Sequence, residues 1–120
     1  MKHSEAVNAI RMALGRERDL ALWPNNTGIA KHTDETTGQT RHVRYGLVNG
    51  GSDLVGCLSG RWFCIEVKVK RDPMKPEQIL FSNLIQQLGG FACVVRAVST
   101  DDAAAQAWAA LTRARNGERQ

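Results

Sequence analysis

Apolar and polar side chains alternate between Trp62 and Lys68. Phe63, Ile65 and Val67 fall on one face of an extended strand, and Cys64, Glu66 and Lys68 on the other. Just upstream, Asp53 to Leu58 is a short apolar run, and Ser59-Gly60 is a tight turn into Arg61 and Trp62, so the two runs form an antiparallel hairpin. Towards the N-terminus, Ala6, Val7, Ile10, Ala13 and Leu14 recur at helical spacing. They predict a helix capped by Ser4 and stopped at Gly15, with Ser4, Asn8, Arg11 and Arg18 facing away. Leu20 to Trp23 reads as a strand closed by Pro24. Pro76 opens a second helix whose stripe is Leu80, Leu84 and Leu88 with Phe81 and Ile85, ended by Gly89-Gly90. Phe91 to Val98 is continuously apolar, as in a strand buried on both faces. Ser99 or Thr100 caps a last helix, with Asp101 and Asp102 in its first turn and Ala104, Trp108 and Leu111 as its stripe.

The predicted order is αβββαβα. A hairpin followed by a helical crossover to a buried strand gives an α/β domain with a mixed central sheet flanked by helices. One domain is expected over residues 1–112, with 113–120 a polar tail that frays. The segment from Ile29 to Arg44 interrupts the pattern. It is polar and basic, and reads as an excursion with a hairpin tip at Thr37-Gly38, returning as a strand near Val43–Tyr45.

Composition narrows the function classes. The chain has 120 residues, 42% of them hydrophobic, enough for one core and not for two domains. No apolar run reaches the ~18 residues of a membrane helix, and Met1 to Glu5 carries no signal-peptide pattern, so a cytoplasmic location without membrane partners is expected. The formal charge of +4 favours polyanionic partners. Cys57, Cys64 and Cys93 are odd in number and lack CxxC spacing. They read as buried thiols, with oxidation sensitivity near Glu66 as the alternative.

A core strand has no need of a carboxylate and an ammonium on one face, since charge beside apolar surface costs free energy unless it is paired or metal-bound. Counting outward from the Ser59-Gly60 turn sets Asp53 opposite Glu66. Two carboxylates, with the carbonyl of Val67 between Glu66 and Lys68, match the oxygen donors that Mg²⁺ or Mn²⁺ takes. Lys68 would then stabilise charge on a phosphate or orient a water. Glu5 is open to two readings, a first-turn acid complementing the helix dipole or a carboxylate aimed at the site. Gln78, in the first turn of its helix, is placed to hold water or phosphate through its amide. Arg41, His42 and Arg44 suit phosphate contacts equally well as a solvated face.

The ordered set of Ser52-Asp53, a twelve-residue gap and Glu66-Val67-Lys68 resembles the PD-(D/E)xK nuclease signature. The wider pattern resembles its VRR-NUC branch: Glu5 in the first helix, Trp23 to Gly28, Gly50 to Gly56, Ile65 to Lys68, Glu77-Gln78, and Gly89 to Ala92. Ser52 stands where the broader signature has proline, as is usual in that branch. The resemblance implies a restriction-endonuclease-like core and cleavage of phosphodiesters with Mg²⁺ or Mn²⁺. It implies Asp53 and Glu66 as metal ligands with Val67 and Glu5, Lys68 as the catalytic lysine, and Gln78 as a further member of the site. Short standalone members of this family, typical of bacteriophages and bacteria, are similar to Holliday-junction resolvases, which implies a homodimer acting on branched or four-way DNA. Candidate nucleic-acid contacts are Arg41, His42, Arg44 and Lys70, and Asn25, Asn26 and Ser52 in the turns around Asp53. The competing functions are a non-cleaving nucleic-acid-binding module and a nuclease acting on RNA.

Overall fold

The central strand β5 (Arg61–Val69) organises the fold, because its two faces carry different chemistry. The structure, a computed structural model, describes residues 1–120. Ahead of β5 come α1 (His3–Leu14), β1 (Leu20–Pro24), β2 (Gly28–Thr33), β3 (Thr40–Tyr45) and β4 (Leu54–Leu58). After it come α2 (Pro76–Gln87), β6 (Phe91–Ala97) and α3 (Thr100–Arg115). The main sheet runs β1-β4-β5-β6; β1, β4 and β5 are antiparallel and β6 lies parallel to β5, so the domain is mixed α/β with three helices. The basic excursion does turn at Thr37-Gly38 and return as a strand through Val43–Tyr45; the predicted order left out its two strands, β2 and β3, which pair as a separate two-stranded sheet.

Phe63, Ile65 and Val67 enter the larger core with Ala6, Ile10 and Leu14 of α1 and Ala103, Ala107, Ala110 and Leu111 of α3. The opposite face of the sheet is covered by α2 and holds a small cluster of Cys64, Ile85 and Ala92, with Val55 and Phe81 against it. Glu66 and Lys68 share that second face with Cys64, so both charges sit under a thin apolar roof.

Helix faces depart from the predicted stripes where small residues compete with large ones. In α3 the buried stripe is Ala103, Ala107, Ala110, Leu111 and Ala114, while Ala104 is half-buried and Trp108 is exposed. Alanines let α3 approach α1 closely, which the indole would prevent. In α2 only Ile85 is fully buried, and Leu80, Leu84 and Leu88 face outward. The helix rolls to place Ile85, Phe81 and Gln78 on the sheet. Val94 and Arg96 of β6 are also exposed, so β6 is not buried on both faces along its length.

Helix ends follow side chains that reach back to the chain. Lys2, not Ser4, is the α1 cap: Glu5 Oε1 accepts from the Lys2 backbone N–H at 3.1 Å. Ser99 Oγ accepts from the Asp102 N–H at 3.0 Å and caps α3 as expected. The last residues are held rather than frayed. Arg61 donates to the carbonyls of Gly89, Ala114 and Glu118, and the Ala92 N–H on the edge of β6 donates to Arg119 O at 2.9 Å. The domain therefore continues past residue 112.

The β2-β3 hairpin stands off the body. The radius of gyration is 16.0 Å, against about 13.6 Å for a compact chain of this length. Nearly every residue of the hairpin is exposed. No helix is long and apolar enough to cross a membrane.

Ile85→Ala is expected to cost about 2–4 kcal/mol of stability, whereas Leu88→Ser at the end of the exposed stripe costs under about 0.5 kcal/mol. Urea unfolding of the two variants checks this; equal losses would place the stripe inside.

Candidate active site

The turn at Ser59-Gly60 has both residues at positive φ, 47° and 87°, the conformation of a two-residue hairpin turn. It fixes the register Leu58↔Arg61 through Leu54↔Ile65, and one further step sets Asp53 opposite Glu66. The ladder stops there, yet β5 runs on to Val69. Along β5 the backbone groups of Val67 point to the β4 side, where no strand faces them. Asp53 supplies the missing partner: its Oδ2 accepts from the Val67 N–H at 2.7 Å. The Val67 carbonyl meets the imidazole of His3, with Nε2 at 3.0 Å.

Asp53 is itself fixed by the turn after β1. The Asn25 backbone N–H donates to Asp53 O at 2.8 Å, its Nδ2 donates to Ser52 O at 3.1 Å, and its Oδ1 accepts from the Leu47 N–H at 3.2 Å. Gly50 lets this loop lie against α2. Its φ is +90°, and a Cβ there would come within 2.5 Å of the Glu77 backbone. The start of α2 is thus brought over Glu66.

Glu66 and Lys68 are 5% and 7% exposed. Glu66 Oε1 accepts from Gln78 Nε2 at 3.3 Å and lies 3.7 Å from Lys68 Nζ, while Oε2 is buried with no hydrogen-bond partner. Gln78 is fixed in turn, since its Oε1 accepts from the Lys75 N–H at 2.9 Å. Burial is the largest cause that raises the Glu66 pKa, to about 8. The Asp53 carboxylate raises it further and Lys68 only partly offsets this. Cys64, on the same face, is a thiol whose burial pushes its pKa up to about 12, which removes it as a reactive thiolate. Cys93 is buried likewise, but Cys57 is exposed on β4, contrary to the reading of all three as buried.

The structure thus brings Asp53, Glu66, the Val67 carbonyl, Lys68 and Gln78 together. Glu5 is spent on the Lys2 N–H, and no hydrogen bond or ion pair joins it to the cluster. His3, missed in the sequence, stands beside Asp53 instead, with Nε2 3.4 Å from Oδ2. The only signal for it was position, two residues before Glu5 at the helix start. No three His, Cys, Asp or Glu side chains converge on one point. The oxygen set is two carboxylates and a carbonyl, a partial shell of the kind hard cations complete with water or phosphate.

The polar side of α1, expected to face away, lines an open cleft beside Asp53 with His3, Ser4, Asn8, Arg11, Asn25 and Asn26, about 250 Å³ in volume. Among the expected nucleic-acid contacts, Asn26 is exposed there. Asn25 has both ends of its amide engaged in holding the loops, and Ser52 is buried beneath them, out of reach of a polymer. Lys70 is exposed just past β5, with φ +56°.

Arg41, His42 and Arg44 do not share a surface. Cross-strand partners point to the same side, so Lys31, His42 and Arg44 lie on one face of the hairpin with Ile29. Arg41 lies on the other with His32, Val43 and Tyr45. The hairpin leaves the body between Asn26 and Leu47, at the loops that hold Asp53.

No family model matches the chain, and no curated protein matches it.

The raised Glu66 pKa has a defined effect on stability. The folded value lies above the unfolded one, so its contribution is intact below about pH 4.5 and is lost as pH rises through about 8. Glu66→Gln should therefore raise the Tm in EDTA by several °C at pH 8.5 and change it little at pH 4.5. Calorimetry at the two pH values checks this, and a variant that loses stability at pH 8.5 would contradict it.

Proposed function

We propose that this chain is a divalent-metal-dependent endonuclease that hydrolyses phosphodiester bonds in DNA. The observation that carries the reading is the buried, unpartnered Oε2 of Glu66, placed beside Asp53 and the Val67 carbonyl with a buried lysine on the same strand face. Without a cation, burial favours the protonated form of Glu66 through neutral pH; a cation would take the place of that proton and satisfy Oε2. All three donors are hard oxygens, which fits Mg²⁺ or Mn²⁺. Asp53, Glu66 and Val67 O would hold the ion, which supplies Lewis acidity at a phosphate oxygen. The arrangement, with carboxylates at the open end of a β-hairpin followed by a helix and a parallel strand, fits a restriction-endonuclease-like core and the VRR-NUC resemblance.

The chain's own groups account for the rest. Gln78 fixes the rotamer of Glu66, so that Oε2 stays aimed into the site. Lys68, 3.7 Å from Oε1, is positioned to neutralise charge that builds on a phosphate during attack by water. Arg11, Asn8 and Asn26 offer a cationic, hydrogen-bonding wall along which a phosphodiester backbone can lie. The hairpin adds Lys31, His42 and Arg44 on one face, exposed cations that could contact a second arm of a branched substrate. Exposed Trp23 and Tyr45 are apolar surface that a homodimer would cover, and two active sites would allow paired nicks in a four-way junction.

Cleavage of a panel of junction, flap, duplex and single-stranded DNA, with RNA counterparts, tests the reading with Mg²⁺ and with Mn²⁺. Asp53→Ala and Lys68→Ala should each lower the rate at least about 10²-fold with folding retained. Full activity of either variant would sink the assignment, and cleavage of RNA alone would move the substrate class.

Arg11→Ala should weaken DNA binding about equally across sequences and lower the slope of log K against log salt by about 1. An unchanged slope in a fluorescence-anisotropy titration would remove the cleft from the binding path. Light scattering is expected to show twice the 13.2 kDa of one chain.

A further inference from the structure

His3 is the group that neither the carboxylate pattern nor the resemblance brings into the site. Its imidazole reaches two of the three proposed oxygen donors at once, Val67 O at 3.0 Å and Asp53 Oδ2 at 3.4 Å. An octahedral shell with metal–oxygen bonds of about 2.1–2.2 Å sets neighbouring donor atoms roughly 3.0 Å apart. Nε2 therefore already lies near ligand-to-ligand spacing from both oxygens. The side chain is 46% exposed at the mouth of the cleft, so little packing opposes rotation of the ring. In the arrangement described, the imidazole interacts with Val67 O and does not converge with both carboxylates. Facing the Val67 carbonyl, Nε2 donates its proton as the ring stands, so ligation needs the ring to turn and the proton to sit on Nδ1.

Resting on the metal-site reading above, we propose that His3 is a nitrogen ligand of the cation held by Asp53, Glu66 and Val67 O, and that it tilts the site from Mg²⁺ towards Mn²⁺. The chemistry follows from donor type. Three oxygens alone suit Mg²⁺, which takes oxygen ligands and keeps its waters, whereas an imidazole favours the first-row transition ions. Glu5 cannot fill this place while it caps Lys2.

Metal binding tests this without cleavage. The untagged full chain is titrated with Mn²⁺ by electron paramagnetic resonance, Mg²⁺ is measured by competition, and the bound Mn²⁺ is examined for ¹⁴N coupling by electron spin-echo modulation. Wild type should show the coupling. His3→Ala and His3→Gln should lose it, and His3→Ala should lower Mn²⁺ affinity about tenfold or more while changing Mg²⁺ affinity less than about threefold. Circular dichroism melts should show both variants folded, as expected of an exposed side chain. Mn²⁺ bound by wild type without ¹⁴N coupling, and equally by His3→Ala, overturns the role of His3 while leaving the oxygen site standing. Failure of folded wild type to bind Mn²⁺ overturns both. Asp53→Ala should abolish binding whether or not His3 is a ligand; Mn²⁺ bound by Asp53→Ala as by wild type overturns the oxygen site and the role of His3 with it.

Discussion

One residue whose backbone groups have no strand partner organises the site of this domain. Strand β5 outruns its neighbour β4, and Val67 is left facing an empty lane with an N–H and a carbonyl to satisfy. A buried backbone group without a partner costs on the order of a hydrogen bond or more, so the chain must bring something to it. It brings Asp53 to the N–H and His3 to the carbonyl. The first draws in the turn at Asn25 and the loop ending at Asp53; the second is an exposed contact from the start of α1. Three parts of the chain far apart in sequence thereby meet at one residue, and the cleft is the space left between them.

The same place is where the fold is least favourable. Glu66 is buried on the sheet face under α2, beside a second carboxylate, and one of its oxygens has no donor. Lys68 offsets part of that cost, but 3.7 Å is long for a charged hydrogen bond. A protein selected for stability alone would place an apolar residue at this position, as it does at Ile65 and Val67 on the reverse face. Cost concentrated at one charged cluster, with Gln78 spent on orienting it, is what supports the proposed metal-site reading.

How much of this was legible in the sequence depends on which interactions are local. The hairpin was legible because a two-residue turn fixes register by arithmetic, and the turn residues Ser59 and Gly60 announce it. The buried stripes were legible only in part. Periodicity marks which residues of α2 share a face, but not whether Leu84 or Ile85 meets the sheet; that is decided by Gln78 reaching Glu66 and by Gly50 passing under the helix. In α3, helix-to-helix distance chose the alanines over Trp108. Asn25 and Ser52 look like surface polar residues in a turn, and their roles appear only once distant loops cross. Glu5 and His3 were misplaced for a similar reason: a carboxylate three residues from the helix cap has a local partner in the Lys2 N–H, and it is the imidazole that reaches Val67 O.

The hairpin arm follows a different logic from the body. A two-stranded ribbon with almost no buried surface is marginal by itself, and here the shape of the ribbon depends on its ladder, the Thr33–Thr40 hydroxyl contact and the Asp34 turn at its tip. Its cations cannot be explained by folding, since they bury nothing and pair with nothing. Their arrangement does carry information. Lys31, His42 and Arg44 lie on one face with Ile29, and Arg41 and His32 on the other with Val43 and Tyr45, so both faces of the ribbon mix cationic and apolar side chains. The arm is rooted in the loops that hold Asp53: Asn25 accepts from the Leu47 N–H through Oδ1, donates to Ser52 O through Nδ2, and donates to Asp53 O through its backbone N–H.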